Sequence, residues 1–185
     1  MNGEDVRVEE ISRKSKEKRK IKEIYKESFP KEDRMPFWLM LIMAKTPDTD
    51  FLCFYDKDIL CGFVYMATIE NMTCILFFAV DNKIRSRGYG KRILDKIQSM
   101  YPDNKIILSI DRCDVEANDL EQRLRRKKFY LNNGYLETEH FLKIGNKKEQ
   151  EILIKNGDFH AEEFSQFFSK YSKGTINPKI WAKTP

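Results

Sequence analysis

Histidine is almost absent from this chain, and long apolar runs are wholly absent. Two histidines, His140 and His160, occur in 185 residues. Neither has a cysteine or a second histidine at ligand spacing, so no metal is expected. No stretch approaches the roughly 18 apolar residues that span a bilayer, so no membrane partner is expected. The N-terminal "MNGEDVRVEE" is polar and acidic, unlike a signal peptide. The four cysteines, Cys53, Cys61, Cys74 and Cys113, lie in β-like runs without CxxC spacing. They read as reduced core thiols of a cytoplasmic protein.

Apolar residues make up 41% of the chain and charged residues 34%. That balance suits a globular protein with a charged surface and excludes disorder. A length of 185 residues fits one domain with a proper core. Net charge is +5, concentrated in "RKSKEKRKIK" (13–22) and "RLRRKK" (123–128). Basic patches attract phosphate backbones. Acidic residues punctuate the whole chain and no nucleic-acid motif is found, so the first run reads as a solvated helix face and no nucleic acid is expected.

The order of elements is mixed. Residues 5–11 alternate as a strand, and residues 16–28 place Ile21, Ile24, Tyr25 and Ser28 on one helical face. Pro30 ends that helix. A second short helix follows Pro36 in "PFWLMLIMAK". "FLCFYD", "ILCGFVYMATIE" and "MTCILFFAVD" are β-branched and aromatic and read as an antiparallel meander. Helical spacing returns after Gly88 with Tyr89, Ile93, Ile97 and Met100. "KIILSID" is a strand, and 118–132 a helix stopped by Gly134. "YLETEHFLKIG" and "EILIKNG" are two more strands. Residues 161–172 form a last helix with Phe164, Phe167, Phe168 and Tyr171 as a core stripe. A tail over 173–185 completes a single domain spanning 1–185.

The stretch "AVDNKIRSRGYGKRIL" (79–94) carries the chemistry. It joins a strand to a helix start, where backbone N–H groups lack partners and the helix dipole is positive. Gly88 and Gly90 remove side chains that would block an anion, and Arg85, Arg87, Lys91 and Arg92 add charge. Together they suit a pyrophosphate. A plain strand–helix turn with solvated cations is the bland alternative. The GK[ST] ending of a Walker loop and the third glycine of a dinucleotide fold are missing.

The spacing Arg85-x-x-Gly88-x-Gly90 resembles the acetyl-CoA-binding motif of the GNAT N-acetyltransferase superfamily, with Val80 five residues before Arg85. "FYLNNGY" (129–135) resembles that family's helix-end pattern through Tyr130, Gly134 and Tyr135. "FPKEDRMPF" (29–37) looks like the segment that borders the acceptor in many members. The element order agrees over residues 5–157. Ser86 stands where a glycine is common, and "CDVEANDLEQRLRRKK" is longer than usual. The strand "CILFFAV" lacks the glutamate that several members use as a base.

The resemblance implies a mixed α+β fold: three layers around a central, mostly antiparallel twisted sheet, splayed between its fourth and fifth strands. It implies an enzyme that moves the acetyl group of acetyl-CoA to a primary amine, by direct attack in a ternary complex. A small-molecule acceptor is expected. A protein acetyltransferase acting on lysine or an N-terminus, and a non-catalytic acyl-CoA sensor or scaffold, are the alternatives. A homodimer is left open. At neutral pH an amine of pKa about 10.4 is unprotonated in one molecule per thousand or fewer, so its proton must be accepted or relayed. The resemblance assigns Tyr130 to protonation of the leaving thiolate. It assigns Ala79, Val80, Arg85, Arg87, Gly88, Tyr89, Gly90, Lys91 and Asn118 to the cofactor, with an N–H near Ala79 or Val80 meeting the oxyanion. Glu32 is the candidate base, with a water chain, Asp33, Asp111 and Asp114 as alternatives. Some of Arg123, Arg125, Arg126, Lys127 and Lys128 are expected near the adenosine 3′-phosphate or pyrophosphate, since their helix leads into Tyr130.

Overall fold

Aromatic and β-branched residues between positions 49 and 80 fold as strands because such side chains fit a pleated, half-buried surface. The computed structural model describes residues 5–114 and 116–184. It contains two compact units, 5–68 with 75–102, and 69–74 with 103–184.

The first unit holds β1 (Arg7–Glu10), β2 (Thr49–Asp56) and β3 (Ile59–Ile69, up to Thr68). From Ile75 onward it also holds β4 (Met72–Val80). β1 pairs antiparallel with β2, with Arg7 opposite Tyr55. β2 pairs antiparallel with β3, with a bulge at Phe54/Tyr55. Three helices belong here: α1 (Lys18–Ser28), α2 (Phe37–Met43) and α3 (Tyr89–Met100). α1 buries Ile21, Ile24 and Tyr25, as its apolar spacing demands, and turns its charged residues outward. It starts two residues later than expected and stops where Phe29 turns extended before Pro30. Met100, expected on the buried face of α3, is exposed in its last turn.

Tyr25 is the hub of this core. Its ring lies 5.1 Å from Phe77, 5.4 Å from Phe29, 6.0 Å from Phe63 and 6.2 Å from Phe37. Its hydroxyl accepts the Met35 N–H at 2.8 Å and donates to the Met35 carbonyl at 3.1 Å. The 29–37 segment is thus fastened to α1 by both aromatic packing and hydrogen bonds. Removing such a buried ring costs about 3–5 kcal/mol.

The second unit holds β5 (Lys105–Asp111), α4 (Leu120–Leu131), β6 (Leu136–Lys143), β7 (Gln150–Lys155), α5 (Ala161–Ser172) and β8 (Lys179–Ala182). β7 pairs antiparallel with β5 and β6, and β6 with β8. A bulge between Glu137 and Phe141 breaks β6. α5 keeps the expected bounds and buries Phe164, Phe167, Phe168 and Tyr171. The tail is more than a tail: Lys179–Ala182 is a strand that gives β6 a partner. Its four-residue length hid it in the sequence. The fold is mixed α+β, with mostly antiparallel strands.

Candidate functional site

The cofactor candidates of the first unit form one continuous strand–turn–helix. β4 ends with Ala79 buried and Val80 half-buried. A carbonyl of β4 comes so close to β3 that an added Cβ on Gly62 would lie 2.2 Å from the Ala79 oxygen. Asp81 follows, donating its N–H to the Cys61 carbonyl at 2.9 Å. Its carboxylate accepts the Lys83 N–H at 3.1 Å and starts a short 3-10 turn, Asn82–Ile84. Arg85, Ser86, Arg87 and Gly88 are then exposed.

Two left-handed residues shape this loop, Ser86 at φ 64° and Gly88 at φ 81°. Gly88 caps α3, and apart from its chain neighbours no atom stands within 4 Å of where its Cβ would be, so a side chain at 88 would enter open space. The first N–H groups of α3, at Tyr89, Gly90 and Lys91, have no intrahelical acceptor.

Two cations of the run pair with carboxylates of the same unit. Arg92 grips Asp56 with both terminal nitrogens, at 3.0 and 3.4 Å. Tyr89 donates to the same carboxylate at 3.0 Å. The hydrogen bonds from Arg92 and then Tyr89 hold the Asp56 carboxyl below its usual range. Arg92 thus pins α3 to β2 and does not serve the loop. Lys91 bonds Asp95 one turn on at 2.8 Å, an exposed pair worth little. Glu32 lies exposed in a separate 3-10 turn, Lys31–Asp33.

In the second unit, Tyr130 sits in the last turn of α4, buried against Phe129 at 5.2 Å and Tyr135 at 5.6 Å. Burial pushes its phenol up to about 12, against a small downward pull from Arg126. Gly134, at φ 84°, lets the chain reverse so that the Tyr135 N–H returns to the Tyr130 carbonyl at 3.2 Å. Asn118 is exposed in the turn before α4, which starts at Leu120 and not at 118.

The basic run of α4 is largely engaged with carboxylates. Lys127 lies 2.7 Å from both Glu137 and the buried Glu151. Burial alone would lower its pKa; the two carboxylates outweigh that and raise it. Arg123 bonds Asp119 and the Arg112 carbonyl, Arg125 pairs with Glu121, and Arg126 stands 3.7 Å from Asp111. Lys127 is thus held between two carboxylates as a structural cation. Arg112 clamps Asp114 with two bonds of 2.8 Å and holds its carboxyl low, which makes Asp114 a poor base.

Among the described residues, no helix is long and apolar enough to cross a membrane. No cluster of three or more His, Cys, Asp or Glu residues there could hold a metal ion.

A left-handed Gly88 at a helix start after a strand, preceded by exposed Arg85 and Arg87, is a geometry that suits an anion. The family model described as "Acetyltransferase (GNAT) domain" matches residues 47–137. No curated protein matches the chain. Among solved structures, a putative GNAT-family acetyltransferase from Bacteroides thetaiotaomicron is similar at 23% identity, with a TM-score of 0.71. That match covers 90% of this chain and 94% of that one. An aminoglycoside 6'-N-acetyltransferase complexed with coenzyme A matches at 16% identity, TM-score 0.58, over 80% of this chain and 96% of that one. The ribosomal-protein-S18-alanine N-acetyltransferase from Escherichia coli matches at 10% identity, TM-score 0.61, over 85% and 97%. Residues 47–137 thus match the GNAT acetyltransferase domain, and these solved structures share the fold of the chain.

Proposed function

We propose that the protein moves the acetyl group of acetyl-CoA to the primary amine of a small molecule, by direct attack in a ternary complex. The amine nitrogen bonds the acetyl carbon as the carbon–sulfur bond breaks. The amine loses one proton and the sulfur gains one. The observation that carries this reading is the open, left-handed Gly88 at the start of α3, preceded by exposed Arg85 and Arg87. That geometry suits a pyrophosphate met by the N–H groups of Tyr89, Gly90 and Lys91. The coenzyme A in one relative supports the same ligand. A backbone N–H near Ala79 or Val80 is assigned to the oxyanion, and Asn118 to a further cofactor contact.

Tyr130 is assigned to the leaving sulfur. A phenol at about 12 holds its proton against a thiolate of pKa roughly 8.5. Its role is then to donate a hydrogen bond to developing charge, with full proton transfer left to solvent. Glu32 or a water chain takes the amine proton, and the 29–37 segment borders the acceptor. Both units act as one transferase domain, an assignment supported by a relative matched over 90% of this chain. The free cysteines, three of them buried, favour the cytoplasm.

Calorimetric titration with coenzyme A, alongside thiol release from acetyl-CoA across an amine panel, tests this reading. Binding with turnover supports it. Binding without turnover on any amine supports a sensor, and no binding removes the reading.

A further inference from the structure

The segment between α1 and α2 forms a cavity of about 250 Å³ with a cationic wall. Lys22, Lys26, Lys31 and Arg34 line it over an aromatic floor of Tyr25 and Phe37. No aspartate or glutamate is among its described lining residues; Glu32 and Asp33, on the same turn as Lys31, stand outside it.

The charge of the wall points to an anionic occupant. Three lysines and a guanidinium, the group that pairs side-on with carboxylate or phosphate, line it with no acidic residue among them. The wall is also held in place before any ligand arrives. Tyr25 fixes Met35, the neighbour of Arg34, through both backbone groups of that residue. The Lys22 ammonium sits 5.9 Å from the Phe37 ring centre.

We propose that this cavity takes the acid group of the acceptor, so that the acceptor is a small amine bearing a carboxylate or a phosphate. The inference rests on the acetyl-transfer reading, in which this segment borders the acceptor. The cavity is smaller than the roughly 300–1,000 Å³ of sites for drug-sized ligands, which suits one acid group on a short carbon frame. A polycationic acceptor such as an aminoglycoside meets like charge here and is disfavoured.

The test is thiol release from acetyl-CoA with paired acceptors: 6-aminohexanoate against hexylamine, and phosphoethanolamine against ethanolamine. Spermidine serves as the polycation. The acid member of at least one pair should show kcat/KM higher by about tenfold or more, mainly through KM, and the advantage should shrink with salt. The two pairs separate carboxylate from phosphate. Lys26→Glu and Lys31→Glu, at exposed positions that leave the core intact, should each reduce that ratio, and Arg34→Ala should abolish it. Equal rates within both pairs, or spermidine as the best acceptor, overturn the inference and leave acetyl transfer standing. If no amine releases thiol, calorimetric titration of 6-aminohexanoate and phosphoethanolamine decides. Binding that Arg34→Ala removes upholds the anion site while transfer fails, and no binding to wild type overturns it.

Discussion

The Lys20 ammonium on α1 lies 2.8 Å from the carboxylate of Asp81, the residue that follows β4. One nearly buried carboxylate thus ties a helix, the end of a strand and the turn leading to the start of α3. Burial pushes the Asp81 carboxyl up, but the bonds from Lys20 and the Lys83 N–H win and the net shift is downward. A lowered folded pKa gives stability that is present above the unfolded carboxylate value, about 3.9, and is lost as pH falls through the folded value. Lys20 is shifted upward by the same pair, so its share persists until pH rises through its own folded value. Asp81→Asn should cost about 1–3 kcal/mol at pH 7. The gap from wild type should close below pH 4. Urea titrations from pH 3 to 8 check this, and a pH-independent gap would deny the pair its role.

Gly62 admits no side chain. Its added Cβ would meet the Ala79 oxygen at 2.2 Å and the Val80 Cα at 3.0 Å, both backbone atoms that a rotamer change cannot move. Gly62→Ala should therefore lower stability by about 1–3 kcal/mol and displace the end of β4. Melting temperature and coenzyme A affinity should fall together. A variant with wild-type Tm would show that β3 and β4 part easily here.

The loop before α3 makes opposite predictions at two positions. Ser86 sits in a left-handed conformation that costs a side chain about 1 kcal/mol. Ser86→Gly should hold or slightly raise Tm and keep coenzyme A affinity. Gly88→Val should stay folded, since its Cβ space is empty, with a modest strain penalty from φ 81°. Coenzyme A binding should be lost, because the branched side chain fills the space assigned to a phosphate oxygen. Unchanged calorimetric affinity in Gly88→Val would remove the pyrophosphate from this turn.

Tyr130→Phe keeps the packed ring and removes the hydroxyl. We expect kcat to fall roughly 10²-fold, the scale of one lost donor to developing charge. Coenzyme A affinity and Tm should change little, and the loss should shrink with a thioester of more acidic thiol. A core role alone predicts the reverse, lower Tm with normal turnover per folded molecule. Both are read on one preparation.

Lys127→Ala should be the costliest alanine change among the cations of α4. It leaves the buried Glu151 without its cation, and breaking such a pair costs about 3–5 kcal/mol. Lys128→Ala should lie within about 0.5 kcal/mol of wild type. Chemical denaturation of the two separates a structural lysine from a surface one.

Apolar spacing by itself determined most elements. Ile21, Ile24 and Tyr25 repeat with the helical period, and Phe164, Phe167, Phe168 and Tyr171 do so in α5. Glycine spacing located the start of α3, because φ 81° at Gly88 is a conformation that strains a residue with a Cβ. Such signals are local, so a single stretch of sequence carries them. Tertiary structure decided how the charges are spent. Arg92 and Lys127 look alike in the sequence to Arg85 and Lys128. Only folding brings Asp56 to Arg92, 36 residues away, and Glu151 to Lys127, 24 away. The cationic wall around Arg34 was likewise hidden, since "FPKEDRMPF" carries both signs of charge. In the folded chain Lys31 and Arg34 line the cavity while Glu32 and Asp33 do not. Coulomb pairing depends on distance in space, and a one-dimensional pattern does not contain that distance until the core has formed.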